Sequence, residues 1–139
     1  MRYRSGSCFC GDVHYRVGGP PLVVCQCHCT MCQRAVGAAV VTWATFNRKE
    51  FETTGPALTW FKSSAAARRA FCQRCGTSLF FESERFPGLI DVTVATLDDA
   101  KSLAPSMHLY VGSRQPWQTV RDGLPCHLGD SNSPRVEQS

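Results

Sequence analysis

The sequence lacks any apolar run near the ~20 residues a membrane-spanning helix needs. Its first ten residues, Met1 to Cys10, are polar and basic and carry no apolar core of the secretory type. There is no Lys/Arg block, no long basic tail and no linker long enough to divide two domains. No Ser-His-Asp order, phosphate loop or paired-carboxylate motif stands out. These absences argue against a membrane protein and against a nucleic-acid partner. The expected compartment is the reducing cytoplasm. The hydrophobic fraction, 43% against 19% charged residues, excludes a disordered chain. A chain of 139 residues suits one core. The expected organisation is one domain over residues 1–130 and a polar tail over 131–139.

What the sequence has in excess is cysteine, nine residues in all. An odd number cannot all pair, and clustered cysteines in a reducing compartment more often bind metal than form disulfides. If seven hold two Zn²⁺ ions, the formal charge of +4 falls to about +1. The basic character is then largely lost, which again disfavours nucleic acid.

Turn residues at Gly18-Gly19-Pro20-Pro21 and Gly55-Pro56 separate short β-rich runs. Val13, Tyr15 and Val17 alternate with polar residues, the period of a half-buried strand. Further strands are expected at 22–24, 38–46, 58–61, 77–82, 89–94 and 107–111. Helix is expected only at 30–36 and 97–101. The fold class is mainly β with short helical turns.

Cys72-Gln73-Arg74-Cys75-Gly76 is the clearest motif. Two residues between the thiols let a tight turn aim both sulfurs at one point, and Gly76 supplies a positive φ. Cys8-Phe9-Cys10-Gly11 could provide the other two ligands if it is extended, since residues i and i+2 face one side of a strand. Four thiolates would close that site, the structural type. Cys25-Gln26-Cys27-His28-Cys29-Thr30-Met31-Cys32 remains. Cys27, Cys29 and Cys32 would leave a fourth position open, the catalytic type. Cys25 is an alternative fourth ligand, and the spacing equally allows Cys8 and Cys10 to pair with Cys29 and Cys32.

Three blocks carry a resemblance to a known family: Gly6-Ser7-Cys8-Phe9-Cys10-Gly11-Asp12-Val13-His14-Tyr15, Cys27-His28-Cys29-Thr30-Met31-Cys32-Gln33-Arg34, and Arg69-Ala70-Phe71-Cys72-Gln73-Arg74-Cys75-Gly76-Thr77-Ser78-Leu79. With Met107-His108-Leu109-Tyr110-Val111, Trp117 and Asp122-Gly123-Leu124-Pro125, they resemble the glutathione-dependent formaldehyde-activating enzyme (GFA) family, also called the centromere-protein-V/GFA domain. The likeness spans about residues 5–127. It implies an Mss4-like β fold with two zinc ions. It further implies a structural site of Cys8, Cys10, Cys72 and Cys75 and a catalytic site of Cys27, Cys29 and Cys32. The implied activity is that of a carbon–sulfur lyase acting on thiol–aldehyde adducts, with glutathione or a similar small thiol as partner. A zinc-stabilised binding module and a thiol redox sensor are the alternatives.

Other residues carry weaker expectations. Arg34 could pair with a carboxylate of a glutathione-like ligand, and Gln33 precedes it at a helix start. His28, between two ligands, reads as a surface or packing residue that could still act as acid or base. His108 reads as a satisfied structural histidine. Cys126-His127 is a candidate extra ligand pair or part of a loose terminus. Arg68 and Arg69 read as a solvated edge, and Trp43, Trp60 and Trp117 as packing residues.

Overall fold

The computed structural model describes residues 2–138; Met1 and Ser139, the ends of the expected domain and tail, lie outside them. Among the described residues twelve strands and one α-helix form. In chain order they are β1 (Tyr3–Ser7), β2 (His14–Gly18), β3 (Val23–Cys27), α1 (Thr30–Val36), β4 (Val41–Asn47), β5 (Phe51–Thr54), β6 (Leu58–Lys62), β7 (Ala67–Cys72), β8 (Ser78–Ser83), β9 (Leu89–Thr93), β10 (Met107–Leu109), β11 (Cys126–His127) and β12 (Arg135–Val136). The chain is mainly β, as its composition and periodicity indicate. No helix among the described residues is long and apolar enough to cross a membrane.

The chain falls into two compact units. The first comprises Met1–Val23 and Ala44–Leu103, the second Val24–Trp43 and Ala104–Ser139. In the first unit, β1, β2 and β5 form an antiparallel sheet in that order. The alternation read in the sequence is realised here: Val13, Tyr15 and Val17 are buried while His14 and Arg16 face solvent. Gly6 is the β1 residue opposite Tyr15. A Cβ at Gly6 would stand 2.4 Å from the Tyr15 ring, so no larger residue fits. A second ladder runs β9-β8-β7-β6, antiparallel throughout. Phe80 of β8 is fully buried and meets Tyr15 and Phe51 edge-on, with ring centroids 4.9 and 4.8 Å apart. Phe46, Leu79, Ile90 and Val92 complete this core. Each such side chain stabilises the fold by roughly 1.5–3 kcal/mol through burial.

The second unit is built on β12-β11-β10-β3 and the first residues of β4. β10 lies parallel to both β3 and β11, and β12 is antiparallel to β11. Arg135–Val136 therefore pairs with Cys126–His127, so part of the segment read as a tail is hydrogen-bonded strand. Helix α1 covers the expected residues 30–36. It starts at Cys29, whose sulfur accepts from the Cys32 N–H at 3.2 Å. It ends at Gly37, left-handed with φ of 69°.

The helix expected at 97–101 is replaced by a single 3₁₀ turn, Ala100–Ser102. Asp99 stands at its start but does not cap it with its side chain. Its carboxylate pairs instead with Arg4 at 3.3 Å and Arg2 at 3.4 Å. Without that cap a short segment has little to offset the cost of nucleation.

Candidate metal centres

In the first unit, β7 delivers Cys72 to a turn that carries Cys75. Gly76 closes it with φ of 82°, its N–H bonding the Cys72 carbonyl at 2.7 Å. The conformation expected of this glycine is the one found. Cys8 and Cys10 depart from expectation, because they sit on a turn after β1 and not on a strand. Gly11, at φ of 83°, bonds back to the Cys8 carbonyl at 3.2 Å. The Asp12 carboxylate accepts from the Ala57 N–H at 2.9 Å and draws the chain aside. The two turns are tied directly, Phe9 N–H donating to Thr77 Oγ1 at 3.0 Å.

The Sγ atoms of Cys8, Cys10, Cys72 and Cys75 all lie within 4.8 Å of one another. Cys8 and Cys10 are 3.6 Å apart, and Cys10 and Cys72 3.8 Å. Sulfurs at ~2.3 Å from a tetrahedral zinc ion are separated by about 3.8 Å, so the donor set and its spacing fit that ion. The Thr77 hydroxyl, 3.2 Å from Cys75 Sγ, and the Thr77 backbone lower the Cys75 thiol to about 5. A ready thiolate is what a metal ligand requires.

In the second unit, Cys27 ends β3, Cys29 caps α1 and Cys32 lies in the first turn of that helix. Their three sulfurs also fall within 4.8 Å of one another. Cys25 is not in this group. It is buried on β3, and two residues of extended chain carry its Cα roughly 6.6 Å from that of Cys27. The pairing of Cys8 and Cys10 with Cys29 and Cys32 is not the one formed. Crowding by Cys29 and Cys32, followed by burial, raises the Cys27 thiol far above its ordinary value. Three thiols this close shed their protons only when a cation balances the charge.

Behind the three-cysteine group a polar chain runs from two buried imidazoles out to an exposed carboxylate. His28 and His108 are nearly inaccessible. His28 Nε2 lies 2.9 Å from His108 Nδ1, and His108 Nε2 lies 2.7 Å from Asp122 Oδ2. Burial, then the charges of His108 and Arg114, lowers His28 to about 4, so its ring is neutral at pH 7. A carboxylate only accepts hydrogen bonds. His108 Nε2–H therefore donates to Asp122, and a single proton links His28 Nε2 to His108 Nδ1. His28 Nδ1 is left buried and unpartnered among the described residues. On the other side, buried Gln33 donates to the His28 carbonyl at 2.6 Å and the Ser113 carbonyl at 3.1 Å. Its Oε1 accepts from Gln115 Nε2 at 2.7 Å.

Asp122 was singled out only as part of the C-terminal likeness, and neither its bond to His108 nor the linking role of Gln33 was legible in the motifs, because both act through contacts distant in sequence. Cys126 and His127 are buried in β11 and join no group of metal-ligating side chains among the described residues. Cys126 Sγ donates to the Leu124 carbonyl at 3.6 Å, and His127 Nδ1 meets the Ser133 carbonyl at 3.2 Å. Arg34 lies on the exposed side of α1. Arg69, read as a solvated edge, is buried with its guanidinium over the Phe81 ring, whereas Arg68 pairs with Glu82 at the surface. Trp43 packs in the core, but Trp117 is 71% exposed.

The sequence model of the family described as "Glutathione-dependent formaldehyde-activating enzyme" matches residues 3–113. The chain belongs to this family. Both cysteine groups lie inside the matched range, while Asp122 lies beyond it. A Halomonas elongata protein bearing the provisional name "glutathione-dependent formaldehyde-activating enzyme" is 25% identical, over 83% of this GFA chain and 79% of its own. The crystal structure of a Rhodobacter sphaeroides protein, a structural-genomics target, superposes with a TM-score of 0.58 at 26% identity. It covers 68% of this chain and 87% of its own.

Proposed function

We propose that this GFA protein is a zinc-dependent carbon–sulfur lyase acting on adducts of a small thiol with an aldehyde, of the glutathione–formaldehyde type. The observation that carries this reading is the unequal pair of cysteine groups. One offers four sulfurs, the number a structural ion takes, and the other offers three. Cys8, Cys10, Cys72 and Cys75 would hold a structural Zn²⁺. Cys27, Cys29 and Cys32 would hold a catalytic one. Zinc bound by those three thiolates supplies a fourth position at which a substrate thiol is kept as thiolate at neutral pH.

The chemistry balances without a redox partner. In the forward direction the thiol sulfur bonds to the aldehyde carbon, the carbonyl π bond opens, and the thiol proton passes through solvent to the new hydroxyl oxygen. The reverse reaction breaks the same carbon–sulfur bond. Three thiolates with one divalent ion carry a formal charge of about −1, which disfavours carbonyl activation and favours thiol exchange. Cys29 is only partly buried, which leaves this end of the group within reach of a small molecule. Arg34, on the exposed face of α1, is assigned the carboxylate of the incoming thiol. None of the nine cysteines forms a disulfide among the described residues, which suits a reducing compartment such as the cytoplasm.

The test is exchange spectroscopy on ¹³C-formaldehyde and glutathione at equilibrium. Zinc-loaded protein should accelerate exchange between free aldehyde and adduct. C29S should abolish that acceleration, and R34A should weaken saturation by glutathione. No acceleration by a protein shown to carry two zinc ions would overturn the proposal.

A further inference from the structure

We infer that Asp122 and Gln138 are positioning residues for the three-cysteine centre, acting on it through His108 and His28. The inference rests on the reading that Cys27, Cys29 and Cys32 hold a metal ion. His28 stands between two of those residues and is fixed at three points. Its N–H donates to the Leu109 carbonyl at 3.0 Å, its carbonyl accepts from Gln33, and its ring is held by His108. The peptide units that carry Cys27 and Cys29 therefore have little freedom to swing.

His108 in turn takes its orientation from Asp122, and Asp122 is itself braced. Its Oδ1 accepts from the Leu124 N–H at 3.1 Å and from Gln138 Nε2 at 2.8 Å. The Gln138 amide also donates to the Leu124 carbonyl at 2.8 Å and accepts from the Gly123 N–H at 3.1 Å. A residue near the C-terminus is thereby wired to the ligand loop through two imidazoles.

Packing alone does not account for this arrangement. An apolar pair would fill the same space without burying two imidazoles. Burying them is of use if the loop carrying Cys27 and Cys29 must keep one conformation, since groups that hydrogen-bond behind a metal site orient its ligands. Asp122 and Gln138 both lie outside the residues that the family model matches.

The experiment is competition for zinc with a chromophoric chelator, together with visible spectra of the cobalt-loaded protein, on the full chain. The four-cysteine centre serves as an internal reference. D122A should weaken one of the two zinc ions about tenfold, the low end of the range found when a ligand's direct hydrogen-bond partner is removed. It should also shift the cobalt ligand-field bands of that centre alone. D122N, which keeps an acceptor for His108, should restore most of the affinity, and Q138A should move it in the same direction as D122A by less. Unchanged affinities and spectra in D122A would overturn the inference, as would equal weakening of both centres. Wild-type protein that binds a single metal ion would instead overturn the three-cysteine metal reading itself. That result is read before any variant is compared.

Discussion

Cys29 has two jobs in this structure, and two substitutions separate them. Its sulfur belongs to the three-cysteine group, and the same sulfur caps α1 by accepting from the Cys32 N–H at 3.2 Å. Serine keeps a capping oxygen and gives up the soft donor. Alanine gives up both. Structural zinc binding in small peptides amounts to ~10–16 kcal/mol over four ligands. One ligand then contributes about 2.5–4 kcal/mol, so either variant should bind the second zinc roughly 70- to 900-fold more weakly. Loss of a helix cap costs about 1 kcal/mol. In a chain of this size that corresponds to a melting temperature about 3–5 °C lower. Both C29S and C29A should therefore carry one zinc per chain, and C29A should melt about 3–5 °C below C29S. Elemental analysis and calorimetry on the purified variants read these two quantities. Equal melting temperatures would refute the capping argument. Loss of both zinc ions with unfolding would refute the independence of the two centres.

Two further outcomes follow from the first unit. G6A would drive a methyl group into the Tyr15 ring, which a Cβ there would meet at 2.4 Å. It should lower stability by about 1–3 kcal/mol in urea unfolding without changing metal content, and an unaltered midpoint would contradict the packing described. Burial raises the Tyr15 phenol above its ordinary value. Above pH ~10 the unfolded chain releases that proton while the native chain retains it, so stability falls as pH climbs through this range. Y15F removes that loss, at a cost near neutrality of about 1 kcal/mol for the hydrogen bond to Thr96. Parallel alkaline limbs for the two proteins would show that Tyr15 does not ionise as argued.

Periodicity was a good guide where the structure depends on neighbours in sequence. The β2 alternation, the bounds of α1 and the positive φ of Gly76 were all legible, because each is set within a few residues. The grouping of Cys8 and Cys10 with Cys72 and Cys75 was foreseeable from motif type, but the local conformation was not. An extended Cys-x-Cys and a turn place two sulfurs equally well, and only the ties to Val13, Ala57 and Thr77 decide between them. The separation of Cys25 from the second group likewise depends on where β3 ends. The bonding roles of Asp122, Gln33 and Gln138 carried no signal in the sequence. A lone acid or amide in a loop acquires a role only when the fold brings it to a histidine or a carbonyl far away in the chain. The strands β11 and β12, of two residues each, are too short for any pattern to announce them.

The proposed function requires one cysteine group complete at four ligands and another that stops at three. Native mass spectrometry on wild-type, C25A and C29S proteins, purified without a metal-binding tag, tests it most directly. Two zinc ions per chain are expected on wild type and on C25A, and one on C29S. A single zinc on wild type, or loss of the second zinc in C25A, would contradict it.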